Sequence, residues 1–369
     1  MIHDYSKIWY LHRDLSRRSM RFVLAASMFV LSPAIKADAC AFDMLKPERT
    51  VIDWIVDADA LVLARPMPGN SFAFAPIQIL IGPETTPEIQ QLVDSGVRRR
   101  LAANPDDAVL FARLTGGQWR RVAYVDDSFG SILGTALSNR DTWRTGMPAS
   151  RVQFVDALQH SPNPRHKAIV ISELDKVPYE QLRDFDLRVP VDELVADLWS
   201  RGGYPYQATR ALLLGIGQSD KARTVIASVV SRATESGSPD NFGAFAAAFI
   251  ELEGALGVTT LADRFLDDPH RSLADIEQVV MAMSVHHALA DVSVKDEIDM
   301  VLARLVRSRP AAGAVVARQF SLREDWSQVG ILQPLVRDRK LTTIQDMTVV
   351  AVYLARAATV NTSAQANGG

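Results

Sequence analysis

Cysteine is almost absent from this sequence: Cys40 is the only one among 369 residues. A disulfide needs two cysteines, so none can form within the chain, and the fold must depend on a buried apolar core. Aromatic residues make up only 7% of the chain, and the formal net charge is only −3. These shortages argue against a nucleic-acid-binding surface, which needs a basic stripe and usually stacking aromatics.

Recognisable catalytic signatures are also missing. The sequence has no G-x-S-x-G motif, and the Gly215–Gly217 stretch lacks the third glycine of a dinucleotide-binding loop, because Asp220 stands in its place. His286 and His287 are neighbours, and neighbouring side chains on a helix point about 100° apart, so they are poorly placed to share one metal ion. We therefore assign no catalytic residue, no cofactor and no metal ligand from the sequence.

The N-terminus has the three-part layout of a secretory signal peptide. It begins with a basic cluster, formed by Arg17, Arg18 and Arg21. An apolar run at residues 22–31 follows, which is too short to span a bilayer. Ala37 and Ala39 then occupy the −3 and −1 positions of a cleavage site. We therefore expect an exported protein, periplasmic or extracellular and without a transmembrane anchor, whose translation starts at Met1 or at Met20.

Cys40 directly follows that cleavage position, and three fates are open to it. A cut after Ala39 leaves it as the mature N-terminus, a cut after Ala41 removes it, and lipidation would turn it into a membrane anchor. Bacterial lipoprotein signals usually carry Leu at −3, where Ala37 stands here, so ordinary cleavage is favoured. Residues 1–39 are thus predicted to be an N-terminal extension and signal peptide.

Residues 40–147 have the spacing of a β-rich domain. Three apolar segments end at turn residues and are predicted to form strands: 58–66, 72–82 and 109–125. The last of them contains the turn Gly116-Gly117 and is predicted to be a hairpin. Thr50–Asp57 and Glu88–Ala103 instead have helical spacing.

The order of these segments resembles the netrin/TIMP-like OB barrel. In that family an N-terminal cysteine precedes a first strand of the type "ADVVVxAxV", and here Cys40 precedes "ADALVLARP" at residues 58–66. A segment ending in "ILIG" and the "VLFA" hairpin follow in the same order. The resemblance covers about 90 residues and implies a small β barrel. The paired cysteines and the C-x-C start of the tissue inhibitors are missing, so it implies a fold and no functional residues.

Helical spacing dominates from residue 148 to residue 358, with Pro, Gly or Asp breaks every 15–25 residues or so. The paired segments, of which "HSPNPRHKAIVISELDKVP" at 160–178 is the best unit, resemble HEAT-like α-solenoid repeats. A compact helical bundle is the alternative. Residues 359–369 are small and polar and are predicted to be a disordered tail. The predicted fold class is thus α+β and multidomain, with a small OB-like β-rich domain followed by an all-α HEAT-like repeat domain.

The most unusual loop is "GGYPYQATRALLLG", which begins at Gly202. It places Tyr204 and Tyr206 on a Gly/Pro scaffold ahead of Arg210, and such tyrosines can line a binding groove, although a loop of this kind more often packs into the neighbouring helix pair. We therefore expect a non-enzymatic binding or scaffold protein that uses its helical-repeat surface to hold a protein or peptide. The rival hypothesis is an envelope hydrolase or accessory enzyme with a site in the cleft between the two domains, near Asp126-Asp127.

Overall fold

The computed structural model describes residues 49–82 and 88–367. The predicted signal peptide and the processing site formed by Ala37, Ala39 and Cys40 lie outside these residues. Within them the fold is α+β, with a small curled antiparallel sheet of five strands followed by a long series of helices. Among the described helices, none is both long and apolar enough to cross a membrane.

The elements have the following bounds. The strands are β1 (Ala60–Met67), β2 (Asn70–Ile81), β3 (Ile89–Leu92), β4 (Ala108–Arg113) and β5 (Arg120–Val125). The helices in and directly after the sheet region are α1 (Val51–Asp57), α2 (Ser95–Ala103), α3 (Asp127–Ser138) and α4 (Arg140–Trp143). The next helices are α5 (Ala149–Gln159), α6 (Pro164–Leu174), α7 (Tyr179–Arg183), α8 (Val191–Asp197), α9 (Gln207–Ile216) and α10 (Asp220–Ser236). The last are α11 (Phe242–Glu253), α12 (Ala255–Leu261), α13 (Leu273–Leu289), α14 (Val292–Ser308), α15 (Ala312–Ser321), α16 (Val329–Arg337) and α17 (Ile344–Asn367).

The sheet is built around β1, in the order β3-β2-β1-β4-β5 with every pair antiparallel. Its central strand carries the apolar run predicted from "ADALVLARP", and Leu61 and Val62 are fully buried there. Three register shifts interrupt the pairing of β1 with β2. Such irregularities increase the local twist of a strand pair, which accounts for the curl of the sheet.

The predicted helix at Glu88–Ala103 is wrong in its first half. Ile89–Leu92 is the edge strand β3, paired with Ala73 and Phe74 of β2. The helix begins only at Ser95, because the side chain of Asp94 accepts a hydrogen bond from the backbone N–H of Val97 at 2.8 Å and so caps the helix start. The strand β3 therefore ends before Asp94, and the helix α2 begins directly after it.

The last helix, α17, continues to Asn367 and so runs through most of the segment predicted to be a disordered tail. No glycine or proline occurs between Ile344 and Asn367, and alanine is frequent there. Alanine has the highest helix propensity, so the helix has no local reason to stop at residue 358.

The helices from α9 onward form two layers. Alternate helices α9, α11, α13, α15 and α17 contact one another in that order, and we call this set layer A. The intervening helices α10, α12, α14 and α16 each contact helices of layer A, and we call this second set layer B; α12 contacts α14, and α14 contacts α16. The central helix α11 is buried all round from Phe242 to Ile250. The main core of the protein therefore runs along layer A.

Layer A is closest packed where Gly215 of α9 meets Ala248 of α11. A Cβ atom on Gly215 would lie 2.7 Å from the Cα of Ala248, so any larger residue must push the two backbones apart. We expect Gly215→Ala to lower the free energy of unfolding by about 1–3 kcal/mol, measured by urea unfolding. Gly134→Ala in α3 is the matched control, because nothing lies within 4 Å of its added Cβ. Equal effects of the two substitutions would contradict close packing at Gly215.

Candidate functional site

The segment predicted to contact a partner forms a fixed loop at residues 198–206, between α8 and α9; we call it the aromatic loop. Arg210 of α9 is only 5% exposed, and its Nη1 donates to the carbonyl oxygens of Gly203 at 2.9 Å and Tyr206 at 3.4 Å. At the other end, Nε2 of Gln207 donates to the carbonyl oxygen of Leu198 at 3.0 Å. Arg210 therefore holds the loop in place and does not face solvent.

Gly203 gives the aromatic loop its close approach to α8. Its backbone N–H donates to the hydroxyl of Ser200 at 2.9 Å, and a Cβ atom at this position would lie 1.8 Å from the carbonyl oxygen of Asp197. No rotamer change can relieve a clash with backbone. Only glycine fits here unless the backbone moves.

Two aromatic side chains of this loop reach solvent. Trp199 is 50% exposed and stacks on Phe245 of α11, with ring centroids 5.8 Å apart and planes 4° from parallel. Tyr204 is 37% exposed, with its hydroxyl 3.4 Å from the carboxylate of Asp240. The sequence did not single out Trp199 because it continues the apolar spacing of α8; its position just before Gly202-Gly203 was the available signal.

Tyr206, by contrast, turns inward. Its side chain is half-buried, and its pKa is raised to about 12, first by burial and then by the negative charges of Asp175, Glu173 and Asp53. The structure thus separates the three predicted partner residues. Tyr204 is exposed, whereas Tyr206 and Arg210 support the loop from inside.

A second polar site lies where α1 meets α5 and α6, and we call it the junction network. Its centre is Arg151, whose side chain is 2% exposed. The guanidinium donates from Nε to Glu173 at 2.7 Å and from Nη2 to Asp53 at 2.8 Å. The hydroxyl of Thr50 donates to the other oxygen of Glu173 at 2.6 Å, and Lys176 forms an ion pair with Asp53. These contacts connect the sheet region to the helices.

The charges of the junction network stabilise one another. Burial alone would raise the pKa of Asp53, but the charge and hydrogen bond of Lys176 and the hydrogen bond of Arg151 lower it below its ordinary value. Burial would likewise lower the pKa of Arg151, but the carboxylates of Glu173 and Asp53 raise it. Asp53 and Arg151 are therefore both ionised at neutral pH.

A cavity of about 440 Å³ opens above this network, and we call it the junction pocket. Its lining includes Asp53 and Arg151 of the network, together with Arg49, Asp57, Arg144 and Lys176. The charged side chains of the lining are therefore mostly cationic. Sequence reasoning did not find this pocket, because its residues come from three separate stretches of the chain, at 49–57, 143–151 and 176.

Asp126, the first acidic residue of the rival enzyme hypothesis, makes structural contacts. Asp126 caps α3 by accepting from the N–H of Phe129 at 3.1 Å, and it forms an ion pair with Arg165 of α6. These hydrogen bonds outweigh its partial burial and lower its pKa to about 2. Both ring nitrogens of the nearby buried His166 lack a hydrogen-bond partner among the described residues. Asp126 therefore acts as a fixed anion between the sheet region and α6.

The adjacent histidines of α13 contact different partners. Nε2 of His286 donates to the carbonyl oxygen of Ala247 at 2.9 Å, whereas Nδ1 of His287 lies 2.7 Å from the carboxylate of Asp325. The second ring nitrogen of His287 is 3.2 Å from Asp299. Within residues 49–82 and 88–367, no group of three or more His, Cys, Asp or Glu side chains is arranged to hold a metal ion.

Comparison of the chain with protein-family models, curated proteins and solved structures found no match in any of the three. No known family or relative therefore supports the HEAT-like or OB-like resemblance.

Proposed function

We propose that this is an exported, non-enzymatic binding or scaffold protein that holds a protein or peptide partner on the aromatic loop. The observation that carries the proposal is the half-exposed Trp199, stacked on the buried ring of Phe245 in a loop that Arg210 fixes. Tryptophan and tyrosine dominate the binding energy of many protein interfaces. A side chain already held in one position loses little conformational entropy when a partner binds.

The two helical layers support a HEAT-like repeat array as the scaffold. Layer A helices begin at residues 207, 242, 273, 312 and 344, so successive helix pairs are 31 to 39 residues long. Periods of 20–50 residues are typical of repeat arrays, and stacked helix pairs create extended surfaces that suit protein or peptide ligands. The aromatic loop lies on this array because Trp199 packs on the layer A helix α11.

The sheet supports an open OB-like barrel in front of the array. An OB fold is a five-stranded, partly open barrel, and the order β3-β2-β1-β4-β5 would close if β3 paired with β5. Side chains already bridge that gap. Nε2 of Gln91 donates to the carbonyl oxygen of Trp119 at 2.6 Å, and Arg121 pairs with Asp94 at 2.6 Å.

The proposal predicts that Trp199→Ala strongly weakens partner binding. Truncating an interface tryptophan typically costs 2 kcal/mol or more, so we expect an affinity loss of about 30-fold. The partner would be identified by cross-linking the purified protein to an envelope fraction, and its affinity for each variant would then be measured by calorimetry. Gly203→Ala keeps both aromatic side chains but displaces the loop, and we expect it to weaken binding as well.

Val292→Ala is the matched control, because Val292 is an exposed apolar side chain at the start of α14, outside the loop. It should bind the partner as the unchanged protein does. A partner that binds Trp199→Ala and the unchanged protein equally would contradict a role for the loop. Turnover in a broad hydrolase screen, lost on Asp126→Asn, would instead favour the enzyme hypothesis.

A further inference from the structure

We propose that the junction pocket binds an oxyanion group, either a phosphate or a carboxylate, between Arg49, Arg144 and Lys176. This goes beyond the proposed function, because the pocket and the aromatic loop are formed by different residues. A ligand in the pocket would contact both the sheet region, through Arg49, and the helices, through Lys176.

The pocket is lined by cationic side chains whose donors are not all used. Lys176 has three N–H donors and uses one on Asp53. Arg144 is exposed and forms no ion pair within the described part of the chain. For Arg49 the nearest described carboxylate is Asp57, at 3.5 Å, and its buried Nε has no hydrogen-bond partner among the described residues. These three cations are therefore incompletely paired.

The charge balance of the pocket also favours an anion. Its lining carries four cations, Arg49, Arg144, Arg151 and Lys176, against the two carboxylates Asp53 and Asp57. Counting the buried Glu173 behind Arg151 still leaves one positive charge in excess. An anion is therefore the ligand that neutralises the site.

The pocket also matches an oxyanion in size and in chemistry. A cavity of about 440 Å³ lies within the range of roughly 300–1,000 Å³ that is usual for small-molecule sites, so it can admit an oxyanion attached to a larger ligand. Guanidinium groups bind phosphate and carboxylate through paired N–H donors, whereas lysine binds them as a point charge. Two arginines and one lysine at one cavity provide both kinds of contact.

The test is thermal unfolding of the purified protein with inorganic phosphate or with acetate, at constant ionic strength. We expect a saturable rise in Tm, as for any ligand that binds only the folded state. Saturation at a lower concentration of phosphate than of acetate identifies a phosphate site, and the reverse order identifies a carboxylate site. Arg144→Gln should lower the affinity for the tighter-binding anion at least tenfold, and Arg49→Gln should lower it by a similar factor.

Arg304→Gln is the control, since it removes an exposed cation of α14 that does not line the pocket. It should leave anion affinity unchanged, and so should Trp199→Ala, which separates this inference from the proposed function. A rise in Tm that does not saturate with either anion, or that persists in Arg144→Gln, would overturn the proposal.

Discussion

Replacing Arg151 with alanine is expected to lower the free energy of unfolding by about 3–5 kcal/mol, which is the usual cost of leaving a buried charge without its partner. Two buried carboxylates depend on this guanidinium, those of Glu173 and Asp53. Asp53 keeps its contact with Lys176, whereas Glu173 keeps only the hydroxyl of Thr50 among the described residues. We therefore expect most of the loss to come from Glu173.

Urea unfolding at pH 7 measures this effect. Two further variants show whether it comes from the buried ion pair. Arg151→Met combined with Glu173→Leu should recover most of the lost stability, because apolar side chains of similar volume often replace a buried ion pair at little cost. Arg304→Ala removes an exposed ion pair with Asp263 and should cost less than about 1 kcal/mol. If Arg151→Ala cost no more than Arg304→Ala, the junction network would contribute little to stability.

The features that were predicted correctly are determined by residues that are close together in the sequence. Gly116, in the turn between β4 and β5, has φ of +72°, a conformation that glycine adopts without strain, and the predicted hairpin is confirmed. Thr50 begins α1 through a capping box with Asp53. The strand at Ile89–Leu92 was missed, because its apolar spacing suits a helix and only pairing with distant Phe74 makes it a strand.

The polar sites could not be predicted, because their partners are far apart in sequence. Arg151 occurs in a segment that has ordinary helical spacing, yet it contacts Asp53, 98 residues away, and Glu173, 22 residues away. Spacing also gave no indication that Arg210 points inward while Trp199 points outward. Local composition identified the aromatic loop, and only tertiary packing decided which of its side chains reach solvent.

Lowering the pH from 7 to 4 is expected to destabilise the protein by about 2–4 kcal/mol through His286 alone. Burial lowers the pKa of this histidine to about 4, and the carboxylate of Glu251, 3.7 Å from Nδ1, only partly opposes that effect. An unfolded histidine has a pKa of about 6.5. Between these two values the unfolded chain binds a proton that the folded chain does not, so the free energy of unfolding falls as the pH falls.

The neighbouring His287 should show the opposite dependence. Burial would lower its pKa, but the hydrogen bond to Asp325 and the charges of Asp325 and Asp299 raise it above its ordinary value. Its contribution to stability is therefore complete below the unfolded pKa of about 6.5 and is lost as the pH rises through the raised folded value.

Urea unfolding between pH 4 and pH 8 separates the two histidines. We expect His286→Gln, whose amide can still donate to the carbonyl oxygen of Ala247, to lose less stability between pH 6.5 and pH 4 than the unchanged protein. His287→Gln should instead lose less stability than the unchanged protein as the pH rises from 6.5 to 8. The exposed His270 provides a control variant, His270→Gln, whose profile should follow that of the unchanged protein. If the free energy of unfolding of His286→Gln and of the unchanged protein fell in parallel with pH, His286 would be accepting its proton in the folded state. Its burial would then not be the cause of the loss of stability in acid.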